Sequence, residues 1–115
     1  MMNAANMRLA MLFGWTNLFA IGGALLGTPP AGLPSSRGQA LVPDWCGDWK
    51  AAGPLIGAYG IELDWANGGA AVEALANTRQ MYEKFTEQLV DHSTPDDAVR
   101  LAVVRAVTAM LERRS

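Results

Sequence analysis

Eighteen consecutive residues, Ala10 to Gly27, carry no charge, and Thr28-Pro29-Pro30 follows at once. Such a run crosses a membrane, leaves as a secretion signal or is folded into a core, and the three outcomes lead to different proteins. A lipid-spanning helix needs about 20 apolar residues. This run is at that limit and is interrupted by Thr16, Asn17 and four glycines. Gly22-Gly23 in its middle favours a short helix followed by a strand or turn over one continuous helix. As a secretion signal it has Arg8 as the only n-region charge, but Leu9 to Leu26 exceeds the usual apolar core of about 7 to 15 residues. No Ala-x-Ala site follows, and prolines stand where processing is expected. The run is therefore read as part of a folded core, and membrane contact is not expected. An anchored or exported protein is the competing reading.

The chain of 115 residues is one domain, 1–115, long enough to bury roughly two-thirds of its unfolded surface. With 50% hydrophobic and 17% charged residues it has ample material for a packed core, which argues against general disorder. A net charge of -2 and a pI near 5.2 provide no field for a polyanion, so nucleic acid is not an expected partner. The single cysteine, Cys46, can form no internal disulfide, which suits a reducing compartment.

Met1 to Trp15 reads as a short helix with Leu9, Leu12 and Phe13 at helical spacing and Gly14 as its stop. Asn17 to Leu26 reads as a strand or two short strands broken at Gly22-Gly23. Residues Ala10 to Gly27 are expected to be buried, with Phe13, Trp15, Phe19 and Leu25 meeting the last helix or the sheet. Thr28 to Ser36 is a proline-stiffened loop. Asp48 is the natural cap of a helix ending near Tyr59 with Gly60 as its stop, and Pro54 inside it predicts a kink or a late start near Gly53. Ile61-Glu62-Leu63-Asp64-Trp65 alternates as a strand with one buried face, and Asn67-Gly68-Gly69 is a hairpin signal. Ala70 to Val90 is ambiguous: its composition favours helix, while the hairpin signal favours a returning strand.

The last element is the clearest. Thr94 caps, Pro95 takes the first helical position, and Asp96 and Asp97 face the positive end of a helix running to about Arg113. Val99, Ala102, Val103, Ala106 and Met110 form its core stripe. Leu101, Val104 and Leu111 lie on another side, so the helix is apolar on more than one face. They are the expected contact surface of a homodimer or higher homo-oligomer.

The series Leu12-Phe13-Gly14-Trp15-Thr16-Asn17, Gly22-Gly23, Gly27-Thr28-Pro29-Pro30, Val42-Pro43-Asp44, Ala51-Ala52 with Leu55-Ile56, and Thr94-Pro95 with Ala98 and Ala102 resembles the small phage and prophage proteins of the phage ABA sandwich domain family. The likeness covers about Leu9 to Met110, and the alanine-rich stretch Ala70 to Ala76 departs from the pattern. The resemblance implies an α+β fold, an alpha/beta/alpha sandwich with a small antiparallel sheet, here ending in a long helix. It also implies an accessory protein of a bacteriophage, working in the cytoplasm of the infected host. It brings no catalytic residues to carry over.

Candidate chemistry is sparse. His92 beside Asp91 is two donors where zinc needs three or four, so it is read as a solvated loop residue and no metal or cofactor is expected. The serines lack a nucleophile-elbow context, and Cys46 has one distant histidine as a base. Trp15 and Trp65 are read as core residues. Trp45 and Trp49, four apart at a loop-to-helix junction with Arg37 and Lys50 near in sequence, form the candidate ligand site. The expected function is a non-enzymatic phage protein that binds a nucleotide signal or a host defence protein. The alternatives are the anchored protein and a small nucleotide hydrolase.

Overall fold

The computed structural model describes residues 2–78 and 81–114. Their order is α1 (Met2–Leu12), β1 (Thr16–Ile21), β2 (Ala24–Thr28), β3 (Ala40–Leu41), α2 (Trp49–Tyr59), β4 (Glu62–Ala66), β5 (Ala71–Thr78), β6 (Met81–Gln88) and α3 (Pro95–Arg114). The fold is α+β with antiparallel strands and a long C-terminal helix, as expected. The strands divide into two sheets, β1-β2-β3 and β4-β5-β6. None of the described helices is long and apolar enough to cross a membrane.

The uncharged run becomes the end of α1 and then a hairpin. Ile21 pairs with Ala24 across a two-residue turn, Gly22-Gly23, with φ of 57° and 83°. Two successive positive φ values are what the right-handed twist of a tight hairpin demands, and glycine meets that demand without strain. Leu9, Ala10, Trp15 and Leu25 are buried, and Phe13 packs in part against Trp45 and Tyr59. The rest of the run corrects the expectation of burial: Met11, Gly14, Thr16, Asn17 and residues 19–23 are exposed, Phe19 at 39%. Phe19 shares a cross-strand row with Leu26 and Leu41, on a face that β1, β2 and β3 leave open: Ile21 and Leu41 are more exposed still.

Residues 71–78 and 81–88 are strand, not helix. Asn67, Gly68 and Gly69 all have positive φ in the turn that returns the chain from β4 to β5, and the pairing along β5 and β6 overrides alanine's helix preference. Those alanines have a packing use. Val72, Ala74 and Ala76 alternate along the buried face of β5, and their small size lets α3 lie close against β5 and β6. Leu63 and Trp65 pair with Ala74 and Val72 and so belong to the same face. Both are exposed, which corrects the reading of β4 as half-buried and of Trp65 as a core residue. The helix lies along β5 and β6, and β4 at the other edge extends past it.

Helix α3 has its expected start, with Thr94 Oγ1 accepting the N–H of Asp97 at 3.1 Å. Its core stripe is buried throughout. Val104 is buried as well, at 1% exposure, and Leu101 and Leu111 are half-buried against the core. Val104 thus presents no surface to a second copy: α1 and α2 pack on α3, and sheet β4-β5-β6 packs on it too, so much of its second apolar side makes contacts within the chain. Ion pairs Arg105–Glu87 and Arg113–Glu83 join α3 to β6, and Arg8–Glu112 joins α1 to α3. Helix α2 begins at Trp49, not near Gly53, because the Asp48 carboxylate accepts the N–H of Lys50 at 3.0 Å and starts the helix upstream of Pro54. Gly60 ends it in the left-handed conformation, as expected.

Candidate functional site

The segment Asp44 to Asp48, between β3 and α2, is held from both sides. Asn6 of α1 is 2% exposed; its Nδ2 donates to Asp44 Oδ1 at 2.8 Å, and its Oδ1 accepts the Cys46 N–H at 3.1 Å. From the opposite direction Arg100 of α3, also buried, donates from Nε to the Cys46 carbonyl at 2.9 Å and from Nη2 to Asp97 at 2.6 Å. Both polar side chains are thus matched at the points where burial would otherwise penalise them. Within the turn, the Gly47 N–H donates to Asp44 Oδ1 at 3.0 Å. A Cβ at Gly47 would stand 2.3 Å from Asp44 Oδ2, so a larger residue there would push the Asp44 carboxylate out of its place.

Beside this turn opens a cleft of about 530 Å³. Its walls are Gly22 and Gly23 at the hairpin tip, Ala24 and Leu25 of β2, and the segment Leu41 to Asp44, with Asn6 reaching in from α1. That volume lies in the range of small-molecule sites, about 300 to 1,000 Å³. Its lining is mainly apolar, and Asp44 is its one ionisable side chain. Asp44 Oδ1 already accepts two hydrogen bonds, and Oδ2 has no protein partner among the described residues. A second hollow of about 260 Å³ lies among α1, α3 and β6, with Phe85 and Val104 in its wall. Its arginines, Arg8 and Arg105, are already paired with Glu112 and Glu87.

The residues singled out from the sequence are distributed differently. Trp45 is buried, its ring centroid 5.6 Å from that of Phe13. Trp49 opens α2 and lies under Arg100, whose guanidinium carbon is 5.3 Å from the ring centroid. The two tryptophans do not share a helical face because the helix begins only at Trp49. Lys50 is exposed in the first turn of α2, and Arg37 sits in the exposed bend between Ser36 and Gln39 with φ of 55°. None of the four lines the cleft. Asn6, the hairpin glycines and Asp44, which do line it, are not marked as site residues by any sequence motif. Their sequence signals were the Gly-Gly turn and Val42-Pro43-Asp44, and nothing local could join them to Asn6, 38 residues from Asp44.

Cys46 and His92 are also placed. The Cys46 thiol is buried, which pushes its pKa up to about 12, with the Asp44 charge adding to the rise and Arg100 opposing it. It therefore stays a thiol at neutral pH, the unreactive form. His92 corrects the solvated-loop reading: its side chain is nearly buried, and Nε2 lies 2.9 Å from Glu87 Oε1. Glu87 also binds Arg105, so the three side chains fasten the linker before α3 to β6 and to the helix. Among the described residues no group of three or more His, Cys, Asp or Glu converges as a metal site. No protein-family model matches the chain, and no curated protein or solved structure does.

Proposed function

We propose that this protein acts by binding rather than catalysis, holding a small ligand in the cleft beside Asp44. The observation that carries this reading is the cleft itself: a volume suited to a small molecule, apolar walls and an exposed carboxylate oxygen with no protein partner among the described residues. The two side chains best suited to chemistry support it. Cys46 is buried and held protonated, and His92 is tied to Glu87. On the sequence resemblance, the biological setting would be a bacteriophage accessory protein of the phage ABA sandwich kind. It would work as a counter-defence factor in the infected host's cytoplasm, sequestering a nucleotide signal or a host protein. Native mass spectrometry of protein purified from infected cells tests the reading. A retained small molecule, released unchanged by heating, is the expected result. Release of a cleaved product favours the nucleotide hydrolase, and a chain that emerges with no ligand overturns the reading.

The open face of β1-β2-β3 favours a second, compatible reading, a homodimer. None of its strand residues is ionisable, and Phe19, Ile21 and Leu41 stand exposed on it. A face without charge has nothing to match on a charged partner, whereas a second copy offers the same neutral surface and the symmetry that closes the pair. This takes the place of the α3 surface at Leu101, Val104 and Leu111. Sedimentation at high micromolar concentration should give a dimer that Ile21→Asp converts to monomer; a monomeric unmodified protein removes the reading.

A further inference from the structure

We infer that the cleft selects an organic cation: a compact apolar body bearing an amidinium or ammonium group that donates to Asp44 Oδ2. The inference rests on the reading of the cleft as a ligand site and adds the chemistry it accepts. The carboxylate is fixed before any ligand arrives. Its Oδ1 takes the Asn6 Nδ2 and Gly47 N–H bonds at 2.8 and 3.0 Å, and Asn6 is in turn locked by the Cys46 N–H. A carboxylate oriented by two donors on one oxygen presents the other oxygen in a defined direction, so little rotamer freedom is lost on binding. Charge-assisted hydrogen bonds to a carboxylate are roughly twice as strong as neutral ones.

The surroundings favour the same sign. Among the described residues no Lys or Arg lines the cleft, and Leu25, Leu41, Val42 and the glycine tip line it together with Asp44. An anion brought there meets the exposed Asp44 carboxylate, while a cation meets its partner beside apolar walls. Any phosphorylated ligand must therefore keep its phosphates outside this cleft.

Benzamidine, benzamide and benzoate test this, since they share one ring and differ in charge. Each is titrated into the full chain while the backbone amide resonances of Gly22, Gly23 and Val42 are followed. Benzamidine is expected to shift them with at least tenfold higher affinity than benzamide, and benzoate to leave them unmoved. Asp44→Asn keeps an acceptor for Asn6 and Gly47 and should reduce benzamidine to the affinity of benzamide. Leu41→Lys, at a position 67% exposed and so tolerant of the change, should weaken benzamidine tenfold or more by placing a cation at the mouth. Equal binding of the three compounds at these resonances overturns the charge selection and leaves the cleft as a ligand site. Shifts confined to other parts of the chain for all three overturn both.

Discussion

Sheet β4-β5-β6 is roofed by α3 and fastened to it by Arg105–Glu87 and Arg113–Glu83, whereas sheet β1-β2-β3 has no ionisable side chain in its strands and leaves Phe19, Ile21 and Leu41 uncovered. The first sheet is stable because small residues on β5 admit a helix that buries nine of its own residues. The second sheet is anchored along one face, through Leu25, Val42 and Gly27, and is otherwise a ribbon extending from the body. The candidate cleft lies at the seam, where the ribbon's tip approaches α1 and the clasped Asp44 to Asp48 turn. A rigid half therefore positions the polar groups, and a less supported half supplies the apolar wall.

The contrast is tested most severely by putting the same charge into each half. Val107 is fully buried in α3, so Val107→Asp places a carboxylate in the core at a cost on the order of 4 kcal/mol or more. That is a large part of a small domain's stability, about 5 to 15 kcal/mol, and circular dichroism should show a largely unfolded chain. Ile21→Asp introduces the same group on the open ribbon and, measured by urea at a concentration where the chain is monomeric, should lower stability by no more than about 0.5 kcal/mol. A comparable loss from both substitutions would mean that the ribbon's outer face is covered in solution.

Arg100 is where the two halves are joined, because it holds the turn that carries Asp44 while sitting in the helix that roofs the other sheet. Arg100→Met keeps a long apolar stem and removes every hydrogen bond, leaving the Cys46 carbonyl without its donor at a cost of about 2 kcal/mol. Chemical denaturation measures the loss. The Cys46 thiol gives a second readout, since loosening of the turn should speed its modification at pH 8. An Arg100→Met protein with unchanged stability and thiol reactivity would show that Asn6 alone holds the turn.

This division also explains what was legible in the sequence. Helix α3, its Thr94 cap and its core stripe follow from local signals, as do the Gly22-Gly23 and Asn67-Gly68-Gly69 turns, because capping and positive φ are decided within a few residues. Exposure was misjudged wherever it depended on a distant element. Phe19, Leu63 and Trp65 alternate as buried residues would, but no helix reaches the outer face of β1 or the inner face of β4. Val104 reads as surplus apolar surface until α1 and α2 are placed on α3. The cleft shares this difficulty, since its ordering contact joins Asn6 to Asp44 through a tertiary approach that no periodicity records.

At the start of α3, Thr94→Ala removes the acceptor of the Asp97 N–H and should cost about 1 kcal/mol without changing the fold. Amide exchange sharpens the measurement. Protection should fall in the first turn of α3 and remain unchanged in β1 and β2, which make no contact through this cap. An unaltered melting temperature would mean that Pro95 and the acidic first turn start the helix unaided.

The smallest expected effect is one of pH. The Asp97 carboxyl is held below its ordinary value of 3.8, chiefly by the hydrogen bond from Arg100, which with the bonds from Thr94 outweighs the opposing effect of desolvation. A carboxyl whose folded pKa is depressed takes up its proton more readily in the unfolded chain. Its contribution is therefore complete above about pH 4 and is lost as pH falls through the folded value. Urea midpoints between pH 5 and pH 2.5 should decline more steeply for the unmodified protein than for Asp97→Asn, and the difference should vanish at the acid end. The loss should appear first as faster amide exchange at the start of α3 and in the Asp44 to Asp48 turn, which Arg100 joins. Sheet β1-β2-β3 has no carboxylate in its strands and should show no acid-dependent change of its own. If its amides open at the same pH as those of α3, the two halves unfold as one cooperative unit and the ribbon is more firmly held than its exposed face implies.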